Sequence, residues 1–320
     1  MLKKTLNFLF AVTFLCSFVT ASGPATAADD NAAGLRLVEG KNTFSISDGD
    51  RPLLRYRYGD VRKKPYVDQL FSPSGIQILR DGAPDHVHHH ALMFAIRVDG
   101  VANFWEETTP DAGTQKHRSL KEFDENVADG VRRAGFTEEL DWLPPKATKP
   151  VLVEHREIAA YKSADLGATL VEWKTRLELP PGKDSAVLTG SHYNGLGMRF
   201  VPSMDHVGRY FAADGNPGKA GPNDSRLTAT RWVAYTAKAG GKPVTVALFD
   251  HPTSYRHPAI MFTKVLSPRW YSFLSATMNE WKKPITMKPG SPVEVRYAVA
   301  LWDGEVDPAT VERVYQHWAK

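Results

Sequence analysis

Apolar and polar residues alternate along much of the chain, which is the period of a β-strand with one buried face. In ATLVEWKTRLEL, residues 168–179, one face is apolar and the other carries Glu172, Lys174 and Arg176. The stretch PVEVRYAVALW, residues 292–302, repeats the pattern. Further strands are predicted at TFSI, LLRYRY, GIQILR, ALMFAIRV, VLVEHREIAAY, RWVAYTA, VTVALFD, AIMFTKV and WYSFLSATM. Turns rich in Pro, Gly, Asp and Asn separate them.

The C-terminus has helical periodicity instead. Asp307 can cap a helix, Pro308 suits its first turn, and apolar residues follow at helical spacing, namely Val311, Val314, Tyr315 and Trp318. Many strands and one terminal helix predict an all-β fold, either a large antiparallel β-sandwich with a short C-terminal helix or a partly closed barrel.

The N-terminus has the pattern of a secretory signal. Lys3 and Lys4 precede an uncharged run over residues 8–19, and Ala25-Thr26-Ala27 has the small-x-small pattern of a cleavage site. We therefore expect residues 1–27 to be a signal peptide and residues 28–320 to form a single β-sandwich domain, periplasmic or secreted. A retained N-terminal anchor is the alternative.

Composition narrows the chemistry. Cys16, the only cysteine, lies inside the predicted leader, so disulfides, thiolate catalysis and cysteine-ligated zinc are not expected in the mature chain. The formal net charge of +4 falls to +2 without Lys3 and Lys4, which is too small a surplus to indicate a nucleic-acid partner. No second apolar stretch has membrane-spanning length, so we expect no membrane span in the mature chain.

Four histidines occur within five positions of DGAPDHVHHHALMF, residues 81–94. Strand alternation counted back from the apolar segment puts His86, His88 and His90 on one side and His89 on the other. The H-x-H spacing of His86 and His88 permits a shared divalent metal ion. Imidazole also titrates near neutral pH, so proton transfer is a second possibility, and a polar patch at a strand end is a third.

A second cluster lies in LFDHPTSYRHPA, residues 248–259, directly after a predicted strand. Asp250, His251 and His257 are candidates for ligand contacts, because loops at strand ends commonly present functional groups. The alternative for Asp250 and His251 is that they satisfy backbone groups of the turn.

Two further segments carry polar or aromatic groups suited to a ligand. In GSHYNGLGMRF, residues 190–200, His192 and Arg199 accompany glycines that permit close backbone approach, and Arg199 could bind an anionic or hydroxyl-rich ligand or form a salt bridge. In NFWEE, Trp105 could stack on a sugar ring and Glu106 could act as a base. A core tryptophan and a solvated acid are the alternatives.

Four motifs together resemble a family of exported bacterial proteins labelled "methane oxygenase PmoA", or PmoA-like. They are DHVHHHALMFAIRVDGVANFWEE, GLGMRFVPSMD, VALFDHPTSYRHPAIMF and MKPGSPVEVRYAVALWDGE, and the resemblance extends from about residue 53 to residue 303. The family pattern D-H-x-H-H implies His86, His88 and His89 as the working set, with His90 replaceable. The resemblance implies a β-sandwich protein encoded among genes for carbohydrate use.

The label itself does not fit this chain. The methane-oxidising subunit of that name is a polytopic helical membrane protein, and no spanning segment follows the leader here. Methane oxidation is therefore rejected. We predict a fold similar to the galactose-mutarotase type of supersandwich, and a carbohydrate-active enzyme of the hydrolase or lyase type that acts on a carbohydrate substrate.

The predicted site draws on all the clusters. The catalytic candidates are His88, His89 and His257. The substrate-binding candidates are Arg199, His192, Asp250, His251, Glu106 and Trp105. A divalent metal is a possible cofactor, held by His86 and His88. Two other functions stay open: a non-catalytic carbohydrate-binding protein with Trp105, Trp270 and Trp281 as stacking residues, and a copper- or iron-dependent oxidase.

Overall fold

Strands account for most of the described chain. The structure is a computed structural model that describes residues 34–128, 130–215, 218–221, 225–264 and 271–320. The predicted leader, Trp270 and parts of the 214–225 and 259–278 segments lie outside these ranges. The first strands are β1 Leu35–Glu39, β2 Thr43–Asp48, β3 Arg51–Arg57, β4 Tyr66–Leu70, β5 Asp81–Ala83, β6 His86–His90, β7 Leu92–Ala95, β8 Arg97–Val98, β9 Ala102–Asn103, β10 Thr114–Ala128, β11 Val131–Leu143 and β12 Leu152–Lys162.

The second half continues the pattern and ends in the helix. Its elements are β13 Thr169–Glu178, β14 Ala186–Thr189, β15 Gly195–Arg199, a 3-10 turn at Pro202–Met204, β16 Arg209–Ala212, β17 Lys219–Ala220, β18 Ser225–Ala229, β19 Trp232–Ala239, β20 Lys242–Asp250, β21 Ile260–Lys264, β22 Phe273–Thr277, β23 Ile285–Met287, β24 Val293–Asp303 and helix α1 Pro308–Trp318.

Two large antiparallel sheets organise the described strands. The ten-stranded sheet has the order β1-β2-β3-β4-β7-β15-β22-β21-β18-β17, and the eight-stranded sheet has the order β10-β11-β12-β13-β24-β20-β19-β16. A four-stranded sheet, β23-β14-β8-β9, and the hairpin β5–β6 complete them. The predicted class, a large antiparallel β-sandwich with a short C-terminal helix, is confirmed.

The main core lies between the two large sheets. Phe44 of β2 and Phe136 of β11 meet with ring centroids 4.6 Å apart, and Tyr56 of β3 meets Trp173 of β13 edge to face at 6.3 Å. All four rings are fully or almost fully buried. Because these contacts join strands of different sheets, burial of apolar area holds the two layers together.

Helix α1 covers the outer face of the eight-stranded sheet. The Asp307 carboxylate accepts a hydrogen bond from the Thr310 backbone N–H at 2.7 Å, as expected of an N-cap. The buried residues of the helix are those that the spacing predicted: Val311, Val314, Tyr315 and Trp318. This cover explains why Glu172, predicted on a polar face, is only 1% exposed and bonded to Trp318.

One strand prediction was wrong, and one long hairpin was not predicted. GIQILR, residues 75–80, forms only isolated bridges, Phe71 to Gln77 and Leu79 to Phe200. The long hairpin β10–β11 was missed, because the exposed edge strand β10 carries polar residues at nearly every position and so shows little alternation. In the described part of the chain, no helix combines the length and the hydrophobicity needed to cross a bilayer.

Candidate functional site

A cavity of about 300 Å³ lies on the outer face of the ten-stranded sheet, away from the sandwich core. Its described lining consists of His86, His88, His89, Glu106, His192, Tyr193, Ser225, Phe262, Lys264, Tyr271 and Phe273. Neighbouring residues such as Met198 and Leu274 point to the opposite face and join the core. We call this space the histidine cavity.

Strand register places the cavity floor. Ser225, Lys264, Phe273 and Arg199 pair in one row across β18, β21, β22 and β15. Residues that pair across antiparallel strands project to the same face, so these side chains share the outer face of the sheet. The row combines one aromatic ring with two cationic side chains and a hydroxyl.

Gly197 makes room for the aromatic floor. A Cβ atom at this position would lie 2.7 Å from Phe273, closer than real Cβ atoms approach, and 3.1 Å from Trp105, which is tighter than most such contacts. The absence of a side chain in β15 therefore lets both rings lie over the strand. The sequence argument that glycines of GLGMRF permit close approach applies to this residue.

Three histidine rings form one wall. His86 stacks on His89 with centroids 4.6 Å apart, and His88 meets His89 edge to face at 4.6 Å. His89 is 3% exposed and also stacks on Phe273 at 4.9 Å. Nε2 of His86 is hydrogen-bonded to the Tyr271 hydroxyl at 3.3 Å, and Nδ1 of His86 is bonded to Asp85 at 2.9 Å. The wall is thus continuous from Tyr271 to His88.

His88 pairs with Glu106. Nδ1 of His88 lies 3.2 Å from a carboxylate oxygen of Glu106. Burial, together with nearby positive charge on Lys64, lowers the pKa of His88 to about 4, so the ring is neutral at pH 7. Burial raises the pKa of Glu106. A neutral imidazole beside a carboxylate favours the tautomer with its proton on Nδ1, which leaves the Nε2 lone pair available.

His90 leaves the cavity, contrary to simple alternation. Its Nδ1 bonds Asp81 at 2.6 Å and its Nε2 bonds Glu107 at 2.8 Å. Burial opposes the charged ring, but these two carboxylates outweigh it and raise the pKa of His90. The prediction that His86, His88 and His90 share a side was wrong, because β5–β6 has a register shift and Ala91 has a positive φ of 45°.

A buried lysine fixes the segment that carries Glu106. Lys64 is fully buried and donates to the Trp105 carbonyl at 3.0 Å and to the Glu107 carboxylate at 2.8 Å. Trp105 and Glu107 flank Glu106 on both sides. The ion pairs of Lys64 and His90 with Glu107 therefore hold the Glu106 backbone in place beside His88.

Trp105 and Arg199 lie behind the lining. Trp105 is 1% exposed and contacts His89 and Tyr193, so it supports the floor from below. Arg199 is 2% exposed, bonds Asp85 through both terminal nitrogens at 2.9 and 3.2 Å, and lies 3.7 Å from the Tyr271 ring centroid. Trp105 and Arg199 were predicted to contact the substrate directly. In the structure they instead contact residues that line the cavity.

His192 stands on another wall of the cavity, on the loop before β15. Its ring contacts Tyr193, Phe262 and Trp281 at centroid distances of 5.0, 5.2 and 5.9 Å. Burial lowers the pKa of His192. His192 thereby joins His86, His88, His89 and Glu106, the predicted site residues that the fold brings to one cavity.

The DHPTSYRHP segment is not part of that lining. His257 bonds a carboxylate oxygen of Asp250 at 2.7 Å, and the Ala259 backbone N–H donates to the same oxygen at 2.7 Å. His251 bonds Arg296 at 2.9 Å, and burial lowers the pKa of His251 to about 4. Asp250, His251 and His257 thus stabilise the loop after β20. For Asp250 and His251 this agrees with the alternative that they satisfy groups of the turn.

A larger cavity, about 570 Å³, lies on the outer face of the eight-stranded sheet. Glu172 accepts hydrogen bonds there from Arg133 at 2.7 Å and from Arg296 at 2.6 Å. The main charged groups of this cavity are therefore paired with one another. None of the predicted site residues is among its described lining.

The described residues do not support the predicted metal site at His86 and His88. Among the described residues, no group of three or more His, Asp or Glu side chains is arranged to hold a metal ion. Both ring nitrogens of His86 have protein partners, Asp85 and Tyr271, and the rings of His86 and His88 lie edge to face at 5.6 Å. The two residues do not present a shared pair of lone pairs in this arrangement.

Sequence reasoning missed six of the eleven described lining residues. Tyr193, Ser225, Phe262, Lys264, Tyr271 and Phe273 were counted as strand or loop residues without a site role. Alternation within AIMFTKV and WYSFLSATM places Phe262 with Lys264 and Tyr271 with Phe273, but it does not identify which face carries a cavity.

The chain belongs to a family of unknown function, DUF6807, whose sequence profile matches residues 43–316. No curated protein sequence matches the chain. The resemblance to PmoA-like proteins is not addressed by this match and stays a prediction, as does the signal peptide.

Comparison with solved structures finds matches at low sequence identity, one of which reaches a TM-score of 0.50. The galactosidase domain of an alpha-galactosidase–sucrose kinase matches with a TM-score of 0.50 and 9% identity, over 84% of this chain and 42% of that one. An alpha-galactosidase from Lactobacillus brevis matches at 0.46 and 8%, over 90% and 42%. A galactose mutarotase related enzyme from Lactobacillus acidophilus matches at 0.27 and 9%, over 85% and 100%. The chain thus spans less than half of either galactosidase structure.

Proposed function

We propose that the protein is a carbohydrate-active enzyme that removes a proton from a sugar carbon in the histidine cavity, with His88 as the base. The observation that carries the proposal is the pair formed by His88 and Glu106, 3.2 Å apart on the wall of an aromatic-floored cavity.

The lining suits a sugar. Phe262, Phe273 and Tyr193 offer ring surfaces to the C–H groups of a pyranose, while His192 and Ser225 offer hydrogen bonds to hydroxyls. A cavity of about 300 Å³ has room for a small number of sugar units. The galactosidase domain that shares the fold belongs to an enzyme named for a sugar substrate, which supports a carbohydrate ligand.

The protonation states suit a base. With a pKa of about 4, His88 keeps its Nε2 lone pair throughout the neutral range, but the same shift makes the ring a weak base. The proposal therefore requires Glu106, 3.2 Å from Nδ1, to stabilise the imidazolium as the ring accepts a proton. In other enzyme sites, too, a carboxylate orients a histidine base and stabilises its protonated form.

Between the two predicted reaction types, lyase chemistry fits better than hydrolysis. Most glycoside hydrolases place two carboxyl groups across the scissile bond. In the described lining, Glu106 is the carboxylate, and its partner is an imidazole. Removal of a carbon-bound proton needs one base and one group that stabilises the carbanion, which this lining can supply.

The test combines a variant with a pH profile. Mixed oligosaccharides are incubated with the protein in D₂O, and deuterium uptake and new products are followed by mass spectrometry. His88→Ala should lower turnover by roughly 10²- to 10⁴-fold while sugar binding remains, because general base catalysis is worth about that much. The acid limb of kcat/KM should lie near pH 4 instead of near 6.5.

His155→Ala is the matched control, because this histidine is exposed on β12 and lies outside the cavity lining. Full activity of the His88→Ala variant would contradict the proposal. Sugar binding by the wild type without deuterium uptake or product would instead support the non-catalytic binding protein.

A further inference from the structure

His89 belongs to the histidine wall of the cavity and has ring nitrogens that the protein does not use. Its ring stacks on Phe273 at 4.9 Å and on His86 at 4.6 Å. Nδ1 is buried without a hydrogen-bond partner among the described residues. Nε2 also has no hydrogen bond to a described residue, but it is not fully enclosed, and the ring lines the cavity. Nε2 is therefore the polar atom that His89 offers to a ligand.

The proton of the His89 ring belongs on Nε2. Burial lowers the pKa of His89 well below its usual value, so the ring is neutral at pH 7 and carries one N–H group. Among buried backbone groups, a donor without an acceptor is rarer than an acceptor without a donor. The same preference, applied to this ring, leaves the enclosed Nδ1 as an acceptor and makes Nε2–H a hydrogen-bond donor that faces the cavity.

His88 and His89 offer opposite groups to one ligand. The Glu106 carboxylate lies 3.2 Å from Nδ1 of His88, which favours a proton on Nδ1 and leaves a lone pair on Nε2. The two histidine rings are in contact, with centroids 4.6 Å apart. One ring can therefore accept a proton while its neighbour donates a hydrogen bond. A C–H bond beside a carbonyl group presents the matching pair, because the hydrogen and the carbonyl oxygen belong to adjacent carbons.

We propose that the substrate is a keto-glycoside, a glycoside with a ketone in its sugar ring, and that Nε2–H of His89 binds the ketone oxygen. The inference rests on the proposed function, since it names the substrate class of the same cavity and the group that stabilises the carbanion. His88 removes the proton from the carbon beside the ketone, and His89 stabilises the negative charge that forms on the oxygen.

A ketone makes proton removal feasible for this base. C–H bonds flanked only by hydroxyl groups are far weaker acids than a C–H bond beside a ketone, and His88, with a pKa of about 4, is a weak base. In a ketone the electron pair released from carbon moves to oxygen, where a preorganised N–H donor in an enclosed site stabilises it strongly. A neutral imidazole serves as this donor in known isomerases as well. His89 thus supplies the stabilisation that a weak base requires.

The cavity floor favours a closed sugar ring over an open-chain aldehyde. Phe262, Phe273 and Tyr193 present aromatic surfaces to the cavity. Such surfaces pack against the C–H faces of a pyranose, which an open chain does not present. Because a closed aldose has no carbonyl group, the carbonyl of a ring-shaped substrate must be a ketone.

The reaction that follows is an elimination. Nε2 of His88 takes the proton from the carbon that lies between the ketone and the glycosidic carbon, and the carbonyl π pair moves to the oxygen held by His89. The resulting enolate reforms the C=O bond, and its C=C electron pair forms a new double bond to the glycosidic carbon as the C–O bond to the leaving group breaks. His88 returns its proton to the leaving oxygen. The products are a conjugated enone and an alcohol, and no water, oxidant or reductant is consumed.

The experiment compares paired probes on the full chain. Methyl glucoside and methyl galactoside, each oxidised to the ketone at C3, are incubated with the protein in D₂O beside their unoxidised parents, and protein-free samples correct for spontaneous exchange. NMR should show deuterium at C2, or the enone product, with at least one keto probe and with neither parent. His89→Phe should lower this rate by roughly 10²- to 10³-fold, as removal of one oxyanion donor does in other enzymes.

Two further variants separate a hydrogen-bond donor from a packing residue. His89→Gln, whose amide keeps an N–H group, should retain part of the rate that His89→Phe loses. His155→Phe, on the exposed side of β12, should leave the rate unchanged. Thermal unfolding shows whether each variant is folded, and the paired probes test the substrate class on the wild type in any case. A folded His89→Phe protein that reacts at the wild-type rate would overturn the inference.

The outcomes also separate this inference from the proposed function. If the parent glycosides exchange deuterium as fast as the keto probes, and His88→Ala abolishes that exchange, the proposed function stands and the keto substrate is rejected. If neither the keto probes nor mixed oligosaccharides exchange deuterium or react, both fail.

Discussion

Two polar clusters lie on the two faces of the ten-stranded sheet, and they differ in how their hydrogen bonds are satisfied. The first, which we call the arginine cluster, lies in the core and consists of Arg156, Glu154, Gln115, Tyr56 and Glu138. All five N–H groups of Arg156 have acceptors: Glu154 twice, Gln115, Tyr56 and the Pro65 carbonyl. The cluster joins strands of both sheets, and every N–H group of its arginine has an acceptor.

In and beneath the histidine cavity on the other face, some buried polar atoms lack hydrogen-bond partners. Nδ1 of His89, Nε1 of Trp105 and Nε of Arg199 are buried without a hydrogen-bond partner among the described residues. Native proteins pair nearly all buried polar atoms, so such exceptions concentrate where function requires them. The arginine cluster has more charge, yet the histidine cavity is the better candidate for ligand binding, because it encloses a cavity and because His89, which lines that cavity, has a ring nitrogen without a partner among the described residues.

The largest effect is expected in the arginine cluster. Arg156→Met leaves the Glu154 carboxylate buried without its main partner, so unfolding free energy should fall by about 3–5 kcal/mol. The double variant Arg156→Met with Glu154→Gln should recover part of that loss. Arg176→Met, on the partly exposed outer side of β13, should cost about 1 kcal/mol or less. Urea denaturation measures all three.

Equal losses for Arg156→Met and Arg176→Met would contradict this interpretation, because it assigns the cost to an uncompensated buried charge. Sugar binding should be unchanged in any Arg156→Met protein that remains folded, since the cluster lies on the core side of the sheet.

The contrast shows what the sequence could predict. Alternation identified about half of the described strands, and the cap and spacing at Asp307 to Trp318 identified the helix, because local periodicity follows from one buried face. Alternation failed at Glu172, where helix α1 covers the outer face. It also failed in β10, an edge strand that is polar on both sides.

The site was predictable only in part. The motif pattern selected His86, His88 and His89, and these three rings do meet, while alternation alone selected His90 wrongly. Lys264 and Phe273 could not be assigned, because their place beside the histidines depends on strand order between β15, β22 and β21. Strand order is a long-range property that spacing along the chain does not encode.

A second prediction concerns Glu280, a fully buried carboxyl group packed against Gly190 on the His192 loop. Neither of its oxygens has a partner among the described residues. Burial raises its pKa from 4.5 to about 8, so the folded protein keeps the proton while the unfolded chain loses it above pH 4.5. Stability should therefore fall as pH rises from about 4.5 to 8.

Glu280→Gln removes the titration, and the variant should be more stable than the wild type above pH 8 by a few kcal/mol, roughly 1.4 kcal/mol for each unit by which burial raises the pKa of Glu280, because the wild type must then ionise a buried carboxyl group. Below pH 4.5 the two proteins should differ little. Urea denaturation across this range provides the measurement, and Glu122→Gln on exposed β10 is the control. A stability difference that does not depend on pH would show that Glu280 is already ionised in the folded protein.

His89 and His90 are neighbours in β6 but differ in how their rings are bonded. His89→Phe replaces a ring that stacks on Phe273 and whose Nδ1 has no partner in the described structure, so unfolding free energy should change by less than about 1.5 kcal/mol. His90→Phe removes bonds to Asp81 and Glu107 and should cost several times more.

If His89 serves the ligand, His89→Phe should fold normally and bind sugar weakly. Normal sugar binding by that variant would instead assign His89 to packing and leave His88 and Glu106 as the polar groups of that wall.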